Sequence, residues 1–174
     1  VLCRYSRISD GSLYAKEAGI LENYTEKYES GKKDFYRTEI VSNFTFNPGQ
    51  LYGIKGISYY SSTMNGDIYH LMENLGNRVY AKNVSSVYLP TPLQDMMFGV
   101  KYYYMRGSRV LSYGKVMEKN GSLSTYESPY ALPIAYAVDY DILNIENTRK
   151  TGIDFQERFL RLASASEFRL VREN

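Results

Sequence analysis

The chain has a single cysteine, Cys3, a single histidine, His70, and no tryptophan. One cysteine excludes an internal disulfide framework and a multi-cysteine zinc site. One histidine excludes a His-rich metal centre and leaves His-dependent catalysis a single candidate. Lys and Arg total 21 against 19 Asp and Glu, so the net charge is +2, too little for a general nucleic-acid binder. No run approaches the roughly 18 apolar residues that a spanning helix needs. The longest, Tyr130 to Val138, is interrupted by Pro133. No basic segment followed by an apolar one opens the chain as a signal peptide would. The motifs GxxxxGK[ST], GxGxxG after a strand, HExxH and GxSxG are all missing.

What is present is tyrosine, 19 residues in a chain of 174 that is 44% hydrophobic. Tyrosine favours strands and carries a polar tip on an apolar ring, which predicts half-buried sheets. The length fits one domain with a real core.

Local signals divide the chain into elements. Ser12 to Ser30 reads as a helix, with Ser12 as N-cap, Leu13, Ile20, Leu21, Tyr24 and Tyr28 on one face, and Gly31 as the stop. Phe35 to Val41 alternates as a strand that puts Arg37 and Glu39 on one side, where one of them is expected to fix the Gly56 to Ser62 segment. Asn47-Pro48-Gly49 is a turn, and Ile57 to Ser61 reads extended. Asn65 caps a second helix with the stripe Ile68, Leu71, Met72, Leu75 and a stop at Gly76. Val79 to Leu89 reads as extended with an irregular middle. Thr91-Pro92-Leu93-Gln94 is a capping box that turns Leu93, Met96 and Met97 inward and ends at Gly99 with positive φ. Val100 to Met105 follows as a central strand. Val110 to Glu118 and Leu123 to Glu127 form a hairpin across Asn120-Gly121. Thr151 caps a last helix whose inner face is Ile153, Phe155, Phe159, Leu160 and Ala163, and Phe168 to Val171 alternates weakly as a further strand. Interspersed helices and strands with at least one hairpin predict an α+β fold: a mixed, largely antiparallel sheet with about four helices packed on it.

Chemistry-bearing residues are few. Asp95, Asp139, Asp141 and Asp154 are the candidate acids, and Asp139-Tyr140-Asp141 puts two carboxylates on one side of an extended segment, as a cation site would, without a calcium-loop pattern around them. Cys3 sits beside Arg4 and Arg7, which favour a thiolate. Sequons occur at Asn23, Asn43, Asn83 and Asn120. No catalytic set, metal site or cofactor motif emerges. The binding candidates are Arg37, Tyr59, Tyr60, Lys101, Tyr102 and Tyr104: tyrosine faces on which sugars stack, with cations placed for phosphates. The same tyrosines equally suit the core and boundary of a sheet.

The order of certain segments resembles a known family. Phe-Tyr-Arg-Thr-Glu at 35–39 precedes Gly-Ile-Ser-Tyr-Tyr-Ser-Ser at 56–62 and Asn-Leu-Gly at 74–76. Thr-Pro-Leu-Gln-Asp-Met-Met-Phe-Gly-Val-Lys-Tyr at 91–102 and Glu-Ser-Pro-Tyr-Ala-Leu-Pro-Ile-Ala-Tyr at 127–136 follow. This series resembles the extracytoplasmic portion of the YfhO-like bacterial membrane proteins, with Thr-Gly at 151–152 in place of the family's Asn-Pro step and Ser-Pro where an Asn precedes its Tyr-Ala-Leu-Pro. The resemblance implies a multi-spanning parent similar to GT-C glycosyltransferases, which adds sugars to cell-wall polymers such as lipoteichoic acid from a polyprenyl-phosphate sugar, outside the cytoplasmic membrane. It implies that residues 1–174 are one extracytoplasmic domain, an excised fragment of that parent, at the cell membrane. The GT-C catalytic acid lies in an early external loop that this chain lacks, so no catalytic residue carries over. The implied partners are the remainder of the parent and a cell-wall polymer or sugar. The alternative is a non-enzymatic carbohydrate-binding module of a membrane protein.

Overall fold

The computed structural model describes residues 11–31, 34–41, 47–63, 65–80, 85–145 and 152–164. The chain divides into two compact units, Val1–Lys33 and Asp34–Asn174.

The first unit holds α1, Gly11–Tyr28. The helix already includes Ser12, so Ser12 is not its N-cap. Tyr24 and Tyr28, one turn apart, meet edge to face at 6.1 Å between ring centroids, and the Thr25 hydroxyl donates to the Leu21 carbonyl at 2.9 Å. Gly31 takes φ 71°, the left-handed stop expected of it. Cys3, Arg4 and Arg7 lie outside the described residues.

The second unit is α+β. Its main sheet runs in the order β1 (Arg37–Val41), β5 (Val100–Arg106), β7 (Leu123–Glu127), β6 (Lys115–Asn120). β1 pairs parallel to β5, and the other pairs are antiparallel. A second, antiparallel sheet is built from β2 (Tyr59–Tyr60), β4 (Ser85–Val87) and β3 (Arg78–Tyr80). The helices are α2 (Pro48–Leu51), α3 (Gly66–Asn74), α4 (Pro92–Phe98) and α5 (Gly152–Ser164), with a 3₁₀ turn at Tyr140–Asn144. Asn47 opens α2 at φ 55°, so the expected turn continues into a short helix.

One core forms where Tyr103, Met105, Val100 and Tyr126 of the main sheet meet Met72, Tyr88 and Leu111. α3 begins as its sequence requires, with Asn65 Oδ1 accepting from the Asp67 amide at 2.7 Å. Its buried face, however, is Tyr69, Met72 and Leu75, while Ile68 is 46% exposed. Met72 and Leu75 stay inside as the sequence predicts, while Tyr69 takes the buried place expected of Ile68 and meets the His70 ring edge to face at 5.3 Å. α5 shows a similar shift: Phe155 and Gln156 are buried and Ile153 is exposed. Its expected cap, Thr151, and the strand at 168–171 lie outside the described residues, as does the middle of 79–89.

Two glycines allow close backbone approaches. A Cβ on Gly152 would stand 2.5 Å from the Gly76 Cα, so the start of α5 rests directly on the end of α3. Gly99 takes φ 63° after α4, and a Cβ there would stand 3.0 Å from the Leu132 carbonyl. α4 therefore turns into the inner strand β5 within one residue, as the sequence predicts.

Candidate functional site

Four polar arrangements are candidates for function, and α4 supplies the first. Thr91 caps it, its hydroxyl accepting from the Gln94 amide at 3.3 Å. The box does not close, because the Gln94 side chain turns inward instead. Its Oε1 accepts from Asn77 Nδ2 at 2.6 Å, and its Nε2 donates to the Leu75 and Leu89 carbonyls. Gln156 Nε2 donates to the same Leu75 carbonyl at 2.8 Å, and Thr91 Oγ1 donates to Gln156 Oε1 at 3.1 Å. Together these amides satisfy the Leu75 carbonyl at the end of α3 and tie α3, α4 and α5 together. The faces expected from Leu93, Met96 and Met97 are thus corrected: Leu93, Gln94 and Asp95 are buried, and the methionines are half-buried.

Asp95 is the second arrangement. It is fully buried and accepts from four hydroxyls. Tyr88 (2.9 Å) and Tyr103 donate to Oδ1, and Tyr113 (2.9 Å) and Ser128 (2.6 Å) donate to Oδ2. Burial raises its pKa, and the four hydroxyls oppose that shift. Burial foremost, and then the Asp95 charge, hold Tyr88 and Tyr113 well above the ordinary phenol value. Burial does the same for Tyr103. These phenols are therefore donors rather than bases or nucleophiles. The sequence singles out Asp95 as an acid but not its partners. The available signal was its position in α4, directly after Gln94, on the face that a capped helix turns toward a tyrosine-rich sheet.

Glu39 is the third, also buried. Its Oε2 accepts from the Ile57 and Ser58 amides at 2.7 and 3.2 Å, and Ser58 Oγ accepts in turn from the Tyr88 amide at 2.9 Å. Burial raises this carboxyl as well. Glu39 thus fixes the start of the 56–62 segment, the structural role expected of Arg37 or Glu39. Arg37 itself donates to the Phe98 carbonyl.

The fourth is a ledge of cations on aromatic rings. Lys55 and Arg37 stand 4.7 and 5.8 Å from the centroid of the Phe35 ring, and Lys101 stands 4.2 Å from that of Tyr36 and 5.7 Å from that of Tyr102. Lys101 also pairs with Glu127 at 3.7 Å. Of the binding candidates, Arg37 and Lys101 thus join this ledge, on the main sheet. Tyr102 and Tyr104 are buried in that sheet, Tyr104 completely. Tyr59 and Tyr60 lie on β2 of the other sheet, where Tyr60 is partly exposed and its main chain is gripped by the Asn47 side chain. Phe35, Tyr36 and Lys55 are the ledge residues that the sequence did not single out.

Asp139 and Asp141 work locally. Asp139 Oδ1 accepts from the Asp141 amide at 3.0 Å, so Asp139 caps the 3₁₀ turn in which Asp141 lies. His70 is exposed beside Glu73 at 3.8 Å. An open cleft of about 440 Å³ lies between Val41, Met105, Arg109, Leu111 and Tyr113. Among the described residues no group of three His, Cys, Asp or Glu is placed to hold a metal ion, and no helix is long and apolar enough to cross a membrane.

Fold and polar interior together define an α+β domain whose tyrosine-rich sheet closes over a buried carboxylate. The family model of the bacterial membrane protein YfhO matches residues 4–173, and the chain belongs to that family of membrane proteins. Neither a curated protein nor a solved structure matches the chain.

Proposed function

We propose that this chain is an extracytoplasmic accessory domain of a membrane glycosyltransferase, one that adds sugars to cell-wall polymers of the lipoteichoic acid type from a polyprenyl-phosphate sugar. The domain performs no chemistry of its own. It helps to position the polymer acceptor or to shape the vault in which transfer occurs. The family match along residues 4–173 carries this reading. Two features support it. Acid–base work on a glycosidic bond needs carboxylates that face a substrate, and here Asp95 and Glu39 both face hydrogen-bond donors of the fold itself. The ledge of Phe35, Tyr36, Arg37, Lys55 and Lys101 offers aromatic faces for sugar rings and cations for phosphates, the two chemistries of a phosphate-linked polymer.

The test is sugar incorporation into the wall polymer in cells whose parent protein lacks this domain, with membrane insertion checked separately. Impaired incorporation is expected, because acceptor positioning is lost. Normal incorporation removes the accessory role, and sugar transfer or hydrolysis by the 174-residue chain alone overturns the assignment. An acidic residue in the parent's first external loop separates this reading from a non-enzymatic polymer-binding module.

A further inference from the structure

The stretch after Ser128 inverts the usual burial of apolar side chains. Tyr130, Ile134, Tyr136, Val138, Tyr140 and Leu143 are all exposed, Ile134 to 49%, Leu143 to 68% and Tyr140 to 80%. Residues 133–141 are exposed without a break. A cluster of this kind on one short segment marks an interaction surface.

The segment is nonetheless clipped in place. The Leu132 carbonyl runs against Gly99. The Tyr136 hydroxyl donates to the Met97 carbonyl at 3.1 Å, and the Asp139 amide donates to the Ala163 carbonyl at 3.0 Å. The Tyr130 ring meets Tyr113 edge to face at 5.7 Å. Asp139 then caps the 3₁₀ turn Tyr140–Asn144. In a 3₁₀ helix side chains three apart eclipse each other, so Tyr140 and Leu143 form one outward ridge. The Asp139 amide and the Leu132 carbonyl hold the main chain, the Tyr136 hydroxyl and the Tyr130 ring tether those two half-covered tyrosines, and Ile134, Val138, Tyr140 and Leu143 stay in solvent.

Three observations select the occupant. The family is one of membrane proteins. Half of the exposed large side chains are tyrosines, whose apolar ring and polar tip suit the boundary between headgroups and acyl chains. Among the described residues, 131–138 make no hydrogen bond between main-chain groups. Such a backbone cannot enter hydrocarbon and is costly in a dry protein interface, but it keeps its water at headgroup depth. The only charged residues between 129 and 145 are Asp139 and Asp141, so anionic lipid is not the attraction.

We infer that residues 130–144 form a membrane-interface ridge that seats this chain on the headgroup layer, with tyrosine rings at the boundary and Ile134, Val138 and Leu143 toward the acyl chains. This rests on family membership and ridge geometry, and is independent of the sugar-transfer reading.

Flotation of the 174-residue chain tests it, using vesicles of phosphatidylcholine alone and vesicles that also contain phosphatidylglycerol, at low and high salt. The chain is expected to float with both, with partition changing less than about twofold between lipids or on adding salt. The variant I134S/Y140S/L143S should lower partition about tenfold or more. V110S, at an apolar residue 69% exposed outside the ridge, should leave it unchanged. Because the chain has no tryptophan, Y140W provides a unique reporter, and its emission should shift to the blue on vesicles. Four results would overturn the inference: a chain that stays in buffer, a triple variant that floats like the parent, binding confined to phosphatidylglycerol and lost in salt, or an unshifted Y140W. Ridge-dependent self-association without flotation would likewise overturn it and identify a second copy as the occupant.

Discussion

Asp95 and Glu39 are two buried carboxylates solved in opposite ways. Asp95 gathers four side-chain hydroxyls, from Tyr88, Tyr103, Tyr113 and Ser128, which converge only in the folded state. Glu39 takes main-chain amides from two adjacent residues, Ile57 and Ser58. The first is a hub that closes the core beneath α4, and its neighbour Ser128 also accepts from the Tyr130 amide at the root of the exposed ridge. The second is a clamp that orders one loop beside the parallel strand β1. A hub made of hydroxyls depends on an acceptor with two equivalent oxygens. A clamp made of amides needs only one oxygen.

The sharpest way to break the comparison is D95A, which leaves four hydroxyls without their acceptor in the interior. Urea unfolding of the chain should show a loss of about 3 kcal/mol or more. D95N and E39Q separate the two designs at nearly constant volume. In D95N an amide NH₂ replaces one oxygen and faces hydroxyls that were donating, which should cost about 1–2 kcal/mol. In E39Q the remaining carbonyl oxygen still accepts from both amides, and the cost should be about 0.5 kcal/mol. Equal losses in the two variants would show that the oxygens are not used as described. Y113F removes one half-buried donor and should cost about 0.5–1 kcal/mol. Combined with D95A it should cost almost nothing more, since the contact is already gone; full additivity would exclude Tyr113 from the hub.

The smallest signal is the pH profile. Burial raises both carboxyls above their ordinary values of 3.8 for Asp95 and 4.5 for Glu39. The folded state then binds more protons than the unfolded one in the interval between ordinary and raised values. Stability is greatest below that interval and falls as pH climbs through it. D95N and E39Q should each flatten the fall, measured by unfolding at successive pH values; a steeper fall in either variant would contradict the raised value.

Local chemistry was legible wherever one turn contains its own partners. Thr91 caps α4, Asn65 caps α3, and Gly76 and Gly99 end their helices with positive φ. The β6–β7 hairpin forms as expected, but it turns on Gly121-Ser122, one residue past the Asn-Gly step, since Asn120 already pairs with Leu123. The Glu39 clamp was also legible in outline, because alternation in β1 puts Arg37 and Glu39 on one side, where a strand-borne charge needs a partner. The helix faces were read less well. Tyr69 rather than Ile68 is buried, and Gln94 abandons its capping box for Asn77, Leu75 and Leu89, since both choices are made by neighbours distant in sequence. Of the candidate binding residues, Arg37 and Lys101 lie on the cation–aromatic ledge with the buried Tyr102 ring beneath Lys101, while Tyr59, Tyr60 and Tyr104 lie elsewhere, because strand alternation gives a side without saying which side is covered.

The sequence by itself determined the α+β class, the family and most helix ends, because caps, glycine stops and ordered motifs are short-range or linear information. Only the tertiary structure decided that β1 runs parallel to β5, that Asp95 is enclosed by hydroxyls up to 33 residues away in the chain, and that the most apolar run of the chain lies outside the core. Each of these depends on which surfaces meet, and a buried polar group or an exposed apolar one is set by the whole packing rather than by any local pattern.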